Sequence, residues 1–557
     1  MYGFCIKKGF TQSGCAKQSF KVKSYICENF MIDKFRNDKL FLNTDKYTII
    51  IDGVILNKQQ LSDKKDWAET IIGLYEENGE SFFACLRGCF SGALYDKSKD
   101  KWIIFTDQLG QKFLYYYIDD ERFMCSSMID EVYTSMHNEN INYHMDERSP
   151  YMLLSYGFML DDHTLCSEIK KICPGCYIVY NSNNIEVKSY YTLTNTPDYS
   201  LSEDEIIETL DRLFCQAIHR QYKKDIEYNY KHVCALSAGL DCRMTSFVSH
   251  ELGYTKQLNL TFSQSNYLDE TIPKQMASDL KHEWIFKSLD NGLWLYDVEK
   301  ITKVTGGTAF YYGLAHGDSV FRYINFSELG LLHSGQLGDV VVGCKSIQSN
   351  EPYRKGDGAN SKTYLKYTEL STNYPNKEIG IWYTRYLNGT NTGQQNEYNY
   401  TETFSPFLDL DFLTFCLTIP AELRYHHKIY KKWIIRKHPQ AAKYIWETIG
   451  AKIDAKTILI NDIEYPLNVI PHKLKRKIMV KLGLAPKENP ESMNPLALYL
   501  RQNTDLAKYL DSYFDNIKYI SDPKLIEILK EIQNNGSALE KNQAVSLLCA
   551  IKMYFNN

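Results

Sequence analysis

The sequence predicts an α+β domain of packed antiparallel sheets, followed by an α/β domain with a parallel sheet and a helical carboxyl-terminal portion. Three observations lead to this expectation. The 557 residues are too many for one hydrophobic core. Strand-length apolar runs separated by turns fill the first part of the chain. Beyond residue 200, strand and helix patterns alternate, which is typical of βαβ crossovers. We therefore expect one domain at 1–195 and a second at 200–557.

The composition is that of an ordinary soluble protein, with 44% apolar and 24% charged residues and a formal charge of -4. A long basic run is absent from the sequence, so a nucleic-acid partner is not expected. Apolar stretches fall short of the roughly 20 residues that span a bilayer, so a membrane partner is not expected either. The segment Met1–Lys8 lacks the order of a signal peptide, and we expect the cytoplasm as the compartment.

In the first domain, four apolar runs predict strands, and two segments near Trp67–Tyr75 and Pro150–Tyr156 predict helices. The strand runs are 47–51, 89–95, 102–105 and 113–117. This mixture predicts packed sheets with flanking helices.

The second domain begins with a helix. Ser202 and Glu205 have the spacing of a capping box, and the apolar residues after them recur at three- and four-residue intervals. Strands are then expected at 233–236, 257–262 and 284–285, and helices at 243–252 and 269–280. The rest of the chain beyond about residue 360 is expected to be mostly helical.

One loop of the second domain has the residues of a phosphate site. The strand Val233–Leu236 leads into Ser237-Ala238-Gly239-Leu240-Asp241-Cys242, after which a helical pattern starts at Arg243. Small residues, a hydroxyl and an acid at the carboxyl end of a parallel strand suit a polyphosphate and its metal ion. An ordinary strand-to-helix turn is the alternative. A second glycine-rich segment, 338–346, lacks the Gly-Lys spacing of a Walker loop, and we discard it.

The loop resembles the pyrophosphate loop of N-type ATP pyrophosphatases. In that family the Ser hydroxyl and backbone amides bind the phosphates, and the Asp binds Mg²⁺. The resemblance therefore implies ATP and Mg²⁺ as cofactors. The nucleotide-binding residues it implies here are Leu236, Ser237, Ala238, Gly239, Asp241, Cys242 and Phe262.

Further motifs resemble asparagine synthetase and its relatives, including β-lactam synthetase, over nearly the full chain. Ser334-Gly335-Gln336-Leu337-Gly338-Asp339 resembles the family's Ser-Gly-Glu-Gly-x-Asp, and 406–409 reads Pro-Phe-Leu-Asp as in the family. In the first domain, 52–57, 86–90 and 107–116 resemble family motifs. The resemblance implies Asp339 as a second Mg²⁺ ligand beside Asp241, and Ser334 with Gly335 as adenosine contacts. It also implies an Ntn-hydrolase-like αββα fold and then an adenine nucleotide α-hydrolase-like fold.

Departures from the family pattern bear on the activity. Tyr2 stands where glutamine-hydrolysing members have a catalytic Cys, and Val54 replaces the glutamine-binding Glu. A phenol cannot replace the thiolate, so we expect a degenerate amidotransferase-like domain without glutaminase activity. Gln336 and Lys345 replace a Glu/Tyr pair that acts on the attacking amine in β-lactam synthetase, and Gln336 cannot act as a base. We retain both as candidate catalytic residues.

The family also uses a Lys that stabilises the developing charge. Lys452 is the candidate here and Lys432 is the alternative; both could instead be solvated surface lysines.

The expected function is ATP-dependent amide formation through an acyl-adenylate, with release of AMP and pyrophosphate. The partners expected are a small-molecule or peptide carboxylate and an amine, together with a homodimer or a biosynthetic partner protein. Peptide or natural-product tailoring, including macrolactam or β-lactam-like closure, and saccharide amidation all fit. An ammonia-dependent asparagine synthetase and a nucleotide-binding pseudo-enzyme are the alternatives.

Overall fold

The computed structural model describes residues 2–61, 66–181, 184–344, 347–348, 350–368, 373–461, 463–484 and 491–556. Its first part contains two six-stranded antiparallel sheets. The first sheet has the order β10-β8-β9-β1-β3-β2, and the second has the order β12-β11-β7-β6-β5-β4. The strands of the first are β1 (Phe4–Lys8), β2 (Gln18–Val22), β3 (Tyr25–Asn29), β8 (Tyr115–Ile118), β9 (Phe123–Ser126) and β10 (Lys170–Lys171). Those of the second are β4 (Leu40–Asn43), β5 (Tyr47–Ile55), β6 (Gly88–Asp96), β7 (Lys101–Thr106), β11 (Cys176–Asn181) and β12 (Asn184–Ser189).

The two sheets pack face to face, with helices on the outer faces. Inward side chains such as Ile6, Ile50 and Ile104 form the core between the sheets. The outer face of the second sheet packs on the helix α2, and the first sheet packs on α3 and α4. The helices are α1 (Lys58–Leu61), α2 (Trp67–Asn78), α3 (Ile129–Asn138) and α4 (Ser149–Tyr156), with a 3₁₀ segment at Gly79–Cys85. This arrangement confirms the αββα sandwich predicted from the sequence.

The second part is built on a five-stranded sheet with the order β15-β14-β13-β16-β17, and every neighbouring pair is parallel. Its strands are β13 (Lys231–Ala235), β14 (Gln257–Ser263), β15 (Glu283–Ser288), β16 (Leu329–His333) and β17 (Thr403–Phe404). The chain runs outward from β13 to β15 and then returns to the other side of β13 as β16. The carboxyl ends of β13 and β16 therefore flank the topological switch point, where ligands of α/β sheets bind.

Helices surround this sheet and continue to the end of the chain. Those in the sheet region are α5 (Glu203–Glu227), α6 (Leu240–Glu251), α7 (Leu268–Leu280), α8 (Val298–Thr305), α9 (Tyr312–Phe321), α10 (Gly338–Val341), α11 (Lys377–Ile381), a π-helical segment (Trp382–Thr390) and α12 (Thr392–Glu397). The later ones are α13 (Leu410–Thr418), α14 (Ala421–Arg424), α15 (Lys428–Lys437), α16 (Ile470–Lys481), α17 (Leu496–Gln502), α18 (Thr504–Asp511), α19 (Pro523–Asn535) and α20 (Ala538–Tyr554). Short 3₁₀ segments lie at Asp290–Tyr296, Phe326–Glu328, Leu365–Tyr367, Pro406–Leu408, Ala441–Lys443 and Ser512–Tyr519.

Several local predictions are confirmed, and others differ from the structure. The capping box at Ser202 and Glu205 is present at the start of α5. The helix predicted from Arg243 begins instead at Leu240, so Asp241 and Cys242 lie in its first turn. The strand predicted from Phe113 begins at Tyr115. The helical tail is interrupted by the hairpin β18 (Thr457–Ile460) and β19 (Ile463–Pro466).

The last helix joins the two parts of the molecule. Most of α20 is buried, and its residues share one core with α3, α4 and α8. Tyr133 of α3 stacks on Tyr554 of α20, with ring centroids 4.0 Å apart. None of the helices among the described residues is both long and apolar enough to cross a bilayer.

Candidate active site

The predicted phosphate loop lies between β13 and α6, and its amides have partners within the protein. Gly239 is the N-cap of α6. The N–H of Ala238 donates to the Asp269 carboxylate at 2.7 Å, and that of Gly239 donates to Ser237 Oγ at 3.3 Å. Burial raises the pKa of Asp269 to about 6. A phosphate bound at these amides would therefore have to replace the Asp269 carboxylate as the acceptor.

The side chains of Leu236 and Ala238 are buried and support this loop from the protein interior. The Leu236 side chain is buried, and its backbone N–H donates to Leu260 O at 2.9 Å. The Leu236 carbonyl accepts from the Thr261 hydroxyl at 2.7 Å. The Ala238 side chain is fully buried. The backbone N–H and C=O of Leu236 are therefore both paired with residues of β14. Leu236 supports the loop through its buried side chain.

Asp241 and Asp339 lie together, as the sequence predicted. They come from the first turns of α6 and α10, which follow the adjacent parallel strands β13 and β16. Asp241 accepts the N–H of Asp339 at 2.9 Å and the hydroxyl of Tyr430 at 3.0 Å. Glycine is required for this approach, because a Cβ at Gly338 would lie 2.6 Å from Asp241 Cγ.

The electrostatics of this pair suit a divalent cation. Burial and the neighbouring charge of Asp339 raise the pKa of Asp241 well above its usual value. Among the described residues, no Lys or Arg side chain contacts either carboxylate. Mg²⁺ prefers carboxylate oxygens, and its charge would relieve the repulsion between the two acids. The two side chains therefore fit a Mg²⁺ ion.

A cavity of about 480 Å³ opens beside the acid pair, and we call it the Gln336 cavity. Five of the residues predicted from the sequence line it, namely Cys242, Phe262, Ser334, Gly335 and Gln336. Burial and the neighbouring Asp241 raise the pKa of Cys242 to about 11, so this thiol is neutral at physiological pH. Gly335 packs directly against the backbone at Cys242, where a Cβ would overlap. The second motif is thereby joined to the first turn of α6.

Gln336 is fixed by a chain of polar contacts. Its Nε2 donates to Thr390 O at 2.7 Å, and its Oε1 accepts from Gln394 Nε2 at 2.8 Å. Gln394 Oε1 in turn accepts from the Tyr398 hydroxyl at 3.1 Å. The amide is therefore held in one orientation at the cavity wall, where it can orient a ligand by hydrogen bonding. Lys345, its predicted companion, lies outside the described residues.

Neither of the two candidate lysines is among the described residues that line the Gln336 cavity. Lys452 is exposed and follows the bridge between Trp446 and Ala451. Lys432 lies on the outer face of α15 and donates to Glu203 at 2.5 Å. An acidic residue, Glu447, lies next to the phosphate loop instead. Its backbone N–H donates to Ala238 O at 3.4 Å.

Glu447 marks a second cavity of about 780 Å³, the Glu447 cavity, on the phosphate-loop side of the site. Its carboxylate accepts the hydroxyl of Tyr267. Among the described residues that line this cavity there is no Lys or Arg. A polyphosphate on this side would thus depend on backbone donors and metal ions for its neutralisation.

Arg243 is a structural residue of the site that the sequence reasoning missed. It is fully buried, and its guanidinium donates to four carbonyls, those of Ala238, Ala441, Tyr444 and Ile445. Burial lowers its pKa to about 10. Arg243 therefore connects the phosphate loop to the segment that leads to Glu447. Its position two residues after Asp241 was the signal available in the sequence.

In the amino-terminal sandwich, the region of Tyr2 and Asp52 encloses only about 30 Å³. Two lysines and two acids form a buried square there. Lys112 contacts Asp52 at 3.0 Å and Glu402 at 2.9 Å, and Lys39 contacts the same acids at 3.4 and 2.7 Å. Val54, at the predicted glutamine-binding position, is fully buried. The space is filled by side chains of the protein.

Comparisons with known proteins show similarity over parts of the chain. Residues 33–191 match the glutamine amidotransferase domain family. The chain is 26% identical over 282 residues to asparagine synthetase (glutamine-hydrolyzing) 2 of Bacillus subtilis, covering 46% of this chain and 36% of that protein. It is 26% identical over 288 residues to putative asparagine synthetase (glutamine-hydrolyzing) 2 of Methanocaldococcus jannaschii, covering 47% of this chain and 53% of that protein. It is 27% identical over 204 residues to amidase chry2 of Gibberella zeae, covering 35% of this chain and 29% of that protein. The chain thus spans about a third to a half of these relatives' length.

Proposed function

We propose that this chain, whose similarities support its assignment to the asparagine synthetase family, is an ATP-dependent amide synthetase that adenylates a carboxylate and joins it to an amine. The observation that carries the proposal is the pairing of Asp241 with Asp339 at the switch point, beside the Gln336 cavity. Two carboxylates that no Lys or Arg among the described residues contacts suit a metal-bound polyphosphate, and the adjoining cavity suits the group that reacts with it.

In this proposal, Asp241 and Asp339 hold Mg²⁺, which supplies charge neutralisation on the phosphates when bound. Ser334 and Gly335 contact the adenosine, and Phe262 supplies an apolar wall of the same cavity. The amides of Ala238 and Gly239 exchange their present acceptors, Asp269 and Ser237, for phosphate oxygens. Gln336 orients the substrate through its fixed amide.

The carboxylate substrate attacks the α-phosphorus of ATP, which gives an acyl-adenylate and pyrophosphate. An amine then displaces AMP. Arg385 is the one Lys or Arg among the described residues that line the Gln336 cavity. Its Nη1 donates to Gly358 O at 2.8 Å and to Asn360 Oδ1 at 3.1 Å. We assign it to binding a carboxylate of the substrate, because a guanidinium matches a carboxylate in charge and geometry.

The amine comes from a second substrate group and not from glutamine. The ion-paired square of Lys39, Lys112, Asp52 and Glu402 lies beside the cavity at Tyr2 and Asp52, whose volume of about 30 Å³ is too small for a glutamine side chain. The setting we propose is therefore the tailoring of a peptide, natural product or saccharide carboxylate, in the cytoplasm.

One specific observation favours a second candidate, a protein that binds nucleotide without turnover. The Glu447 cavity carries an acid next to the phosphate loop, and Lys452 is exposed and is not among the described residues that line this cavity. A transition-state cation would then be lacking at the phosphates.

Pyrophosphate release with Mg·ATP and a panel of carboxylates and amines separates the two candidates. The synthetase releases pyrophosphate with at least one carboxylate and forms AMP. The pseudo-enzyme binds Mg·ATP in a titration and releases none with any substrate. Absence of both binding and release would refute both candidates.

A further inference from the structure

We propose that the helix α16, together with the hairpin β18–β19 before it, docks on the surface of an anionic lipid bilayer. The helix lies in the plane of the headgroups, with apolar side chains in the lipid and lysines at the lipid phosphates. A helix of this kind binds a bilayer without crossing it, so the inference needs no membrane-spanning segment. It does not depend on the proposed synthetase activity.

The helix α16 exposes an apolar stripe, formed by Leu474, Ile478 and Leu482. These residues follow one another at intervals of four, so they lie on one side of the helix. Their side chains are 56%, 51% and 65% exposed. None of the described side chains of α16 is buried. A single exposed leucine is ordinary on a protein surface, whereas a row of such residues marks an interaction site.

The fold holds the apolar stripe outward. Arg476, Met479 and Val480 are half-buried, and at 3.6 residues per turn they lie on the other side of the helix. The helix therefore rests on the protein through these residues, and the apolar stripe points away from the protein. A helix that protrudes in this way presents a convex surface, whereas a peptide ligand binds in a groove or along a sheet edge.

Lysines flank the apolar stripe on both sides. Lys475 lies on one side, Lys477 and Lys481 lie on the other, and all three are exposed. The sequence from Ile470 to Leu484 contains no Asp or Glu. Long lysine side chains extend from an apolar surface towards the polar headgroups, and anionic lipids attract their charges. An apolar stripe between lysines is typical of helices that lie on membranes.

The hairpin before α16 adds to the apolar surface. Leu459 of β18, Ile463 of β19 and Leu467 just after the hairpin are exposed over half or more of their surface. Ile463 is paired with Ile460 beside the turn, and Ile460 is exposed as well. Exposed apolar side chains thus extend beyond a single helix. A flat bilayer fits this extended surface better than the groove of a partner protein, which encloses one helix face.

A second copy of this chain fits the surface less well. In a symmetric dimer the same patch meets itself. The lysines beside one stripe would then face those beside the other, and like charges across an interface weaken binding. An anionic bilayer matches both the charge and the apolar area.

The proposed docking surface lies next to the candidate active site. Val469 is the N-cap of α16 and also lines the Glu447 cavity. A Cβ on Gly450, in the same cavity, would lie 3.9 Å from the Val469 side chain. Docking of α16 would therefore bring this cavity near the lipid headgroups.

Flotation of the whole chain with lipid vesicles tests the docking. We expect binding to vesicles of phosphatidylglycerol mixed with phosphatidylcholine, and binding at least about tenfold weaker to phosphatidylcholine alone. Added salt should weaken binding to the anionic vesicles, because it screens the lysines. Absence of binding to the anionic vesicles, or equal binding to both kinds, would overturn the proposal.

The contribution of the apolar stripe is tested by a double variant. Leu474→Ser combined with Ile478→Ser should bind anionic vesicles at least about tenfold more weakly, because two apolar side chains no longer enter the lipid. Both positions are exposed, so the melting temperature should stay at that of the wild type. Leu293→Ser, at a leucine that is 63% exposed, is the matched control and should bind as the wild type does. Equal binding by the double variant and the control would contradict the role of the stripe.

A second double variant tests the charges. Lys475→Gln combined with Lys477→Gln should bind anionic vesicles more weakly than the wild type and should depend less on salt. Lys256→Gln combined with Lys274→Gln removes the same charge from exposed positions elsewhere and should retain wild-type binding. The same loss in both double variants would show a general effect of net charge and would overturn the docking of α16.

Two measurements on the wild type locate the contact without a substitution. Anionic vesicles should slow hydrogen exchange of the backbone amides in 470–484, and protection confined to another part of the chain would overturn the proposal. Analytical ultracentrifugation without lipid should show no dimer that depends on Leu474 and Ile478. A dimer that the Leu474→Ser, Ile478→Ser variant abolishes would assign the surface to a second copy of the chain instead.

Discussion

Asp241 and Asp339 belong to motifs that are almost 100 residues apart, and the parallel sheet brings them into contact. Each follows its strand by a few residues, and the two strands are neighbours. The glycines beside them leave the space for this contact, because any side chain at Gly338 would meet Asp241. The pair was predicted from the two motifs, whereas only the structure shows that no Lys or Arg among the described residues contacts it.

The first prediction concerns this pair. Asp241→Asn removes one ligand charge while keeping an amide oxygen for the Tyr430 hydroxyl. We expect pyrophosphate release to fall at least about 100-fold, because metal-borne charge stabilisation is worth several kcal/mol. The folded protein should persist, since the change also removes a buried charge of raised pKa. Full activity of the variant in the pyrophosphate assay would contradict the metal assignment.

A matched control is available in the same site. Cys242→Ser changes the next residue, which lines the Gln336 cavity with a neutral thiol. This substitution keeps the size and neutrality of the side chain, so pyrophosphate release should stay within a few fold of the wild type. A comparable collapse in both variants would indicate a general disturbance of α6.

Several residues of the site could not be identified from the sequence. Asp269 accepts from the phosphate loop, and Tyr430 donates to Asp241, yet each lies on an element distant along the chain. Their side chains have no distinctive pattern, and the contact depends on how α7 and α15 pack.

Among the elements, α6 shows that the first residue of a helix is difficult to predict from a sequence pattern. The small and polar residues of the loop predicted a start at Arg243, but the helix begins at Leu240. Asp241 and Cys242 gain helical geometry because the second motif packs on this first turn through Gly335. Tertiary contacts thus extended the helix beyond its propensity. The interior strands and the capped helix α5, by contrast, were predictable because apolar period and capping are local signals.

Three helices of the second part meet at His438. This residue is the C-cap of α15, and its ring contacts Asp211 of α5 at 2.8 Å and Glu251 of α6 at 2.6 Å. Burial alone would lower the pKa of His438, but the hydrogen bonds to the two acids overcome this and raise it to about 9. The charged ring therefore helps to hold α6, and with it Asp241, against the bundle.

His438→Gln should accordingly destabilise the protein at pH 7. Because the folded-state pKa lies above the unfolded value of 6.5, the stabilisation is fully present below pH 6.5 and is lost as the pH rises through about 9. We expect a loss of about 2 kcal/mol at pH 7, after discounting the exposed edges of the two acids. Urea unfolding at pH 7 and at pH 9.5 measures it, and His137→Gln on the surface is the control. A loss that is equal at both pH values would contradict the ionic origin.

At the scale of the whole molecule, the amino-terminal sandwich contacts the carboxyl-terminal part through ion pairs and through packing. Glu402, just before β17, is paired with Lys39 and Lys112 of the sandwich. Tyr398 connects the same region to Gln336 through Gln394. The sandwich thus supports the wall of the Gln336 cavity, although the space at Asp52 is filled. This connection gives the sandwich a structural role in the cavity wall.

The order of the two architectures was predictable from the sequence, since the strand runs stop before Glu203 and the alternating pattern follows. The connection between them was not predictable. It depends on the helix α20, which is apolar on most faces. Such a pattern predicts that the helix is buried, but it does not predict which elements the helix packs against. The lining of the Gln336 cavity could not be predicted for a similar reason. Its residues are spread along the chain from Phe158 to Leu539, and only the packing of the fold brings them together.

The central claim is that a carboxylate substrate is activated by adenylation, and the transfer of its oxygen tests this claim most directly. A carboxylate labelled with oxygen-18, incubated with Mg·ATP, an amine and the protein, should deliver one labelled oxygen to AMP, because the bond from the acyl carbon to that oxygen breaks. Mass spectrometry of the nucleotide product detects the label. Unlabelled AMP, or ADP and phosphate in place of AMP and pyrophosphate, would contradict the account.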